Sequence, residues 1–206
     1  MSLAKKSIFL ILLILLVDQV IKICIKTHMM LGEEIHFFGN YGMIHFTENN
    51  GMAFGMELGG NWGKLILSVF RLGAVAAIGY YMWYLIKNKA HQGLVLCIAA
   101  ILAGALGNIL DSVFYGIIFS DSYYQVATLF PQGGGYSSWL QGRVVDMFYF
   151  PFLQGHYPQW VPGVGGDQFI FFRPVFNTAD SAISIGVAII LLFQKKFFGK
   201  ETQTQE

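Results

Sequence analysis

The chain has 206 residues, of which 55% are hydrophobic and only 12% charged, too few charges to clothe a single soluble core. Its net charge of +1 excludes the concentrated basic surface that phosphate binding requires, so no nucleic-acid partner is expected. A membrane protein is the class that remains.

Four apolar runs approach the ~20 residues that a helix needs to cross ~30 Å of hydrocarbon. The first, Ser7 to Ile25, follows Lys5 and Lys6 but has no A-x-A-like cleavage site and carries Asp18 and Lys22, which marks a retained span rather than a signal peptide. Next comes the segment 27–63, where EEIHFFGNYGMIHF places β-rich stretches around a Gly-Asn-Tyr-Gly turn and predicts a short hairpin on the membrane surface. The second and third spans run from Lys64 to Ile86 and from Leu94 to Phe119. Segment 120–173 contains PQGGGYSSW and PGVGGDQ, where glycine and proline favour loops over a continuous helix, and aromatic residues suited to the water–lipid boundary. The fourth span is Pro174 to Phe193.

Lys5 and Lys6, Lys87 and Lys89, and Lys195, Lys196 and Lys200 all fall on one side of a four-span chain. The positive-inside rule makes that side cytoplasmic, with both termini inside and segments 27–63 and 120–173 outside. The expected fold is an all-α membrane protein of four transmembrane helices, one domain over residues 1–206, with a small extracytoplasmic β-element and long outer loops. Cys24 and Cys97 lie in apolar runs and read as small buried hydrophobes, and the five histidines have no metal-ligand spacing, so no metal site is expected.

A charged group at mid-bilayer costs roughly 2.5 to 3.5 kcal/mol on insertion scales, so polar residues in spans face protein or water. Here they are Asp18, Lys22, Arg71, Asn108, Asp111, Asp146 and Asp180. The topology brings all of them except Arg71 to one level near the outer face. Asp18 and Lys22 are four residues apart and can pair; Gly104, Asn108 and Asp111 share one stripe of the third span, with Gly104 and Gly107 leaving room for a neighbouring helix. A purely structural ion pair and interhelical clasp would account for these groups. Asn177 can cap the fourth helix with Asp180 reaching back in a capping box, and Arg143 can pair with Asp146 as a loop salt bridge.

Two carboxylates at one level, Asp146 and Asp180, allow a further reading. Like charges a few ångströms apart share a proton; the ionised member then takes a proton from water while the protonated one polarises a scissile carbonyl. This is aspartic peptidase chemistry. Rival nucleophiles are poorer: no histidine stands near Ser181 or Ser184, and Lys22 already has Asp18. A proton-coupled transporter would spread its carboxylates through the membrane thickness, and a non-enzymatic scaffold would use the polar groups only to lock helices.

The stretches DQVIK (Asp18 to Lys22), NNGMAFG (Asn49 to Gly55), GALGNILD (Gly104 to Asp111), GRVVDMF (Gly142 to Phe148) and FNTADSAISIG (Phe176 to Gly186) resemble, in order, the motifs of the lipoprotein signal peptidases, or signal peptidase II. The resemblance implies that Asp146 and Asp180 cut before the lipid-modified cysteine of bacterial prolipoproteins at the outer side of the cytoplasmic membrane. It implies supporting roles for Asp18, Lys22, Asn49, Gly51, Asn108, Asp111 and Asn177. It also implies four spans, no cofactor, and lipid-modified prolipoproteins and membrane lipid as partners, with a monomeric enzyme expected. Two departures stand out. Family members usually follow the GNxxD element with arginine, whereas this chain has Ser112, so Arg143 or Arg173 is expected to substitute. The gaps around Asp146 are long, and the insertions at about 120–142 and 151–172 are expected to form an outer flap or rim over the cleft.

Overall fold

Ser2 opens the first helix, α1 (Leu3–His28), by accepting from the Lys5 amide, and one stripe of that helix at helical spacing is buried: Ser7, Ile11, Asp18, Lys22 and Lys26. Its other faces expose Phe9, Leu12, Leu16 and Val20, a surface suited to lipid. The computed structural model describes residues 1–50, 60–171 and 174–198, so Gly51 and Arg173 lie outside the described residues.

After α1 come β1 (Glu34–Phe38) and β2 (Gly42–Asn49), the hairpin expected around Gly39 to Gly42. Helix α2 (Gly60–Lys87) follows, then α3 (Gln92–Leu110), which continues through a π-helical turn (Asp111–Tyr115) into the short α4 (Gly116–Ile118). The chain then forms β3 (Val144–Tyr149), the pair β4 (Leu153–His156) and β5 (Gln168–Phe171), β6 (Val175–Phe176), α5 (Thr178–Leu192) and α6 (Gln194–Phe198).

Among the described residues, three helical stretches are long and apolar enough to cross a membrane: Leu3–His28, Trp62–Lys87 and Gln92–Ile118. The fourth apolar run differs from expectation at its start. Val175 and Phe176 pair with Tyr149 and Phe148 as strand β6, so α5 has 15 residues and reaches only about 22 Å. Helix α5 packs along α3, where a Cβ on Gly104 would strike the Ala179 carbonyl and the Ile183 side chain. At Gly107 a Cβ would lie 2.6 Å from Asp18 Oδ2, so this glycine lets α1 approach the same face.

The expected β-element is present and is larger than the hairpin alone. Strands β1-β2-β3-β6 form one antiparallel sheet, and β4 pairs with β5 where loops were expected. The sheet has two different faces, because successive side chains alternate. On one face Phe46, Val145 and Met147 pack with Met29, Tyr115, Phe119 and Ala127. Asn49 and Asp146 belong to the other. The insertion 120–142 is tied to the end of α3 and to α4 through Tyr136 N–H to Phe119 O (3.0 Å), Ser137 N–H to Gly116 O (2.8 Å) and Gly142 N–H to Ser112 O (2.8 Å). Ala127 and Tyr136 join the hydrophobic cluster, so this insertion packs behind the sheet instead of over the front face where a flap was expected. Cys97 is buried as expected, but Cys24 is exposed on the outward face of α1.

Candidate active site

Asn177 is the residue on which the site converges. The extended backbone at Asn177 ends β6 and starts α5, and its Oδ1 accepts from the Asp180 amide (2.9 Å) while Asp180 Oδ2 accepts from the Asn177 amide (3.2 Å), a complete capping box. With Oδ1 used for the cap, the amide nitrogen points across to β3: Asn177 Nδ2 donates to Asp146 Oδ1 at 2.7 Å, to Asn108 Oδ1 at 3.0 Å and to Val145 O at 3.3 Å. One buried side chain therefore contacts both aspartates.

Asp146 reaches this point because β3 pairs with β2 opposite Thr47, with Asn49 two residues along on the same face and also bonded to the Asp146 carboxyl. Only 4% of Asp146 is exposed. Burial, followed by the neighbouring Asp180 charge, pushes its carboxyl up to about 7, against a smaller opposing effect from the Asn177 hydrogen bond. Asp180 is less buried and accepts from Asn108 Nδ2 at 2.8 Å.

Behind the pair lies a buried ionic layer. Lys22 Nζ meets Asp18 Oδ2 and Asp111 Oδ2, both at 2.9 Å, and donates to Asn108 Oδ1 at 3.0 Å. All three charged side chains are essentially without solvent exposure, so their mutual pairing is what makes their burial tolerable. Each carboxylate has a second task. Asp18 Oδ1 accepts from the Ala179 amide (2.9 Å) at the start of α5, and Asp111 Oδ2 accepts from the Val145 amide (3.2 Å) beside Asp146. The ion layer thus fixes the two backbones that present the pair.

Of the residues singled out in the sequence, Asp18, Lys22, Asn49, Asn108, Asp111, Asn177, Asp146 and Asp180 meet in one network, while Gly51 lies outside the described residues. Arg143 does not join it, which corrects the expected pairing with Asp146. Its guanidinium bonds to Glu48 Oε2 (2.6 Å) and Asp121 (3.2 Å) on the opposite face of the sheet, where Lys26 also pairs with Glu48 and donates to Ser122 Oγ (2.7 Å). Alternation along β3 explains this: positions 143 and 145 face away from 146.

Sequence reasoning missed two residues at the site, Gln19 and Arg71, and one on the opposite face of the sheet, Lys26. Gln19 donates to Asp111 Oδ1 (2.9 Å) and accepts from the Tyr115 hydroxyl (3.2 Å). Lys26 carried a usable signal, since it continues the 18, 22 spacing by four. Arg71, placed apart from the polar level, lies within electrostatic reach of Asp180, Asp146 and Asp111.

Long apolar helices around a buried polar network with two converging carboxyl groups define a multi-pass membrane protein with a potential hydrolytic centre. Residues 10–196 match the family described as Signal peptidase (SPase) II, and the chain belongs to that family, a family of peptidases. It is 53% identical over 184 residues, 89% of this chain and 80% of the relative, to a lipoprotein signal peptidase of Porphyromonas gingivalis. It is 36% identical over 198 residues, covering 95% and 80%, to one from Amoebophilus asiaticus. Among solved structures, a bacterial membrane enzyme determined by the in meso method superposes with a TM-score of 0.60 at 25% identity, covering 93% of this chain and 94% of that one.

Proposed function

We propose that this protein removes signal peptides from prolipoproteins as an aspartic endopeptidase, with Asp146 and Asp180 as its catalytic pair. The bond that each aspartate makes to Asn177 carries this reading, because it puts two carboxyl groups from distant chain segments around one small site. Asp146, raised to about 7, brings a proton and polarises the scissile carbonyl. Asp180, more open and held by Asn108 Nδ2 and the Asn177 amide, takes a proton from the attacking water. The tetrahedral intermediate then collapses as a proton passes to the departing amine, with no covalent enzyme intermediate.

The substrate is a precursor carrying a diacylglyceryl-modified cysteine, cut just before that residue. Its acyl chains remain in the bilayer and its signal helix approaches along the apolar faces of the spans, so the lipid anchor confines the search to the membrane plane. In this reading α5 serves as a short fourth span, both termini are cytoplasmic, and the pair lies near the outer face of the bacterial cytoplasmic membrane, in a monomer of one domain. The basic flanks of the helices support that orientation. A transporter would need carboxylates at several depths, whereas these cluster at one end of the bundle.

The test is incubation of purified protein with a lipidated precursor, followed by gel shift. Wild type should release the signal peptide, while Asp146→Asn and Asp180→Asn should be folded and inactive. Processing by both variants at the wild-type rate would refute the assignment.

A further inference from the structure

The inward stripe of α2 changes character along its length. Lys64, Ser68, Arg71, Val75, Ile78 and Met82 follow helical spacing and are all at least partly buried, while their neighbours Val69, Phe70, Leu72, Tyr80 and Tyr81 are exposed. The lower three pack on the apolar cluster of Ile11, Ala99, Leu102 and Ala103. The upper two are fixed to the end of the 120–142 insertion: Lys64 Nζ donates to Gln141 O (2.6 Å) and to Asn50 Oδ1 (3.0 Å), and Ser68 Oγ donates to Leu140 O (3.0 Å). Arg71 sits between these two anchored halves, on the face that looks into the bundle.

The same anchoring accounts for Ser112. Its hydroxyl turns back to Asn108 O (3.0 Å), its own carbonyl accepts from the Gly142 amide (2.8 Å), and only 4% of the residue is exposed. A Cβ on Gly142 would strike the Asp111 carbonyl, so the insertion closes tightly over this part of the π-helical turn. Position 112 thus carries a short, buried, uncharged side chain, and Arg143 is committed to the far face of the sheet.

We propose that Arg71 is the positioning cation of the carboxyl pair, delivered from α2 across the cleft and holding the pair in its singly protonated, reactive state. This inference rests on the aspartic reading above. The charged groups that act on it are Asp180 on α5, Asp146 on β3 and Asp111 at the π-helical turn; Asp18 and Lys22 on α1 lie behind the pair, and Lys64 stands two turns up its own helix. Asp180, Asp146 and Asp111 attract it in that order. Lys22 is bonded to Asp18, Asp111 and Asn108, and Lys64 to Asn50 and Gln141, so each of these two cations is held at its own anchors. A cation near two carboxyl groups favours ionisation of one of them, and exclusion of water strengthens that effect.

The experiment measures kcat/KM against pH for wild type, Arg71→Gln and Arg71→Lys on a lipidated precursor, with Asp180→Asn alongside. Removing the charge should move both limbs of the Arg71→Gln profile upward by about one pH unit or more, while Arg71→Lys keeps both limbs near their wild-type positions. Arg71→Met gives the same reading should Arg71→Gln fail to fold. An uncharged variant whose profile superimposes on wild type after scaling would overturn the proposal, even if its kcat were lower. An active Asp180→Asn would instead overturn the catalytic assignment itself.

Discussion

Replacing Lys22 with methionine is the sharpest test of the ionic layer behind the site. Methionine keeps much of the stem volume but removes the ammonium that meets Asp18 and Asp111 at 2.9 Å and Asn108 at 3.0 Å. Two fully buried carboxylates then face each other without a counter-charge. Breaking a buried ion pair by deleting one partner costs about 3–5 kcal/mol, most of it the uncompensated charge left behind. Because Asp18 and Asp111 also hold the Ala179 and Val145 amides, the loss should appear both as lower resistance to unfolding and as a misplaced pair. The assay is equilibrium unfolding in mixed micelles, run beside precursor processing. Pairing Lys22→Met with Asp111→Asn removes one of the stranded charges and should recover a measurable part of the stability, a positive coupling in a double-mutant cycle. A Lys22→Met loss under about 1 kcal/mol, or strict additivity with Asp111→Asn, would show that water or lipid headgroups already screen this layer.

Further outcomes can be stated briefly. Substituting either aspartate with asparagine should lower processing at least about a hundredfold, the lower end of what a positioned acid or base contributes; residual rates are read by gel shift. In the proposed mechanism Asp146 carries the proton, and burial pushes its carboxyl up to about 7, so kcat/KM should fall as pH rises through about 7, visible in a pH–rate profile. The same residue should illustrate a conflict between stability and function. Its folded value stands above the 3.8 of a solvated aspartate, so its ionisation opposes folding increasingly between pH about 4 and about 7. Asp146→Asn should therefore stabilise the protein by up to about 4 kcal/mol at pH 8 and far less at pH 4, as a pH series of unfolding curves would show. Arg143→Gln should leave kcat/KM within about threefold of wild type, as its guanidinium faces away from the pair. It should weaken a partly exposed ion network by about 1 kcal/mol and speed proteolysis within 121–138.

Much of the polar network was legible because helices advertise it. Asp18 and Lys22 at a spacing of four, and Gly104, Asn108 and Asp111 on one stripe, are written in a period that an α-helix must obey, and the cap at Asn177 follows from residue type alone. Strand placement was not legible. Asp146 looked like a loop residue beside Arg143 because VVDMFYF lacks the polar alternation of a half-exposed strand; both of its faces are covered, one by an apolar cluster and one by the site. Pairing with the distant β2 is a non-local event that no local pattern states. For the same reason Glu48, an ordinary acid in a hairpin, gave no sign that it would hold Lys26 and Arg143. Arg71 was set aside because depth along the span was considered without the inward stripe on which it lies.

A single asparagine that both begins α5 and bonds the distant aspartate ties two events together. Until α5 is threaded and seated against α3, Asp146 lacks its bond from Asn177 and the Asp18 anchor has no Ala179 amide to hold. Under the proposed function, a half-made chain leaving the ribosome carries no assembled pair and gains its cutting power only when its last hydrophobic segment has docked.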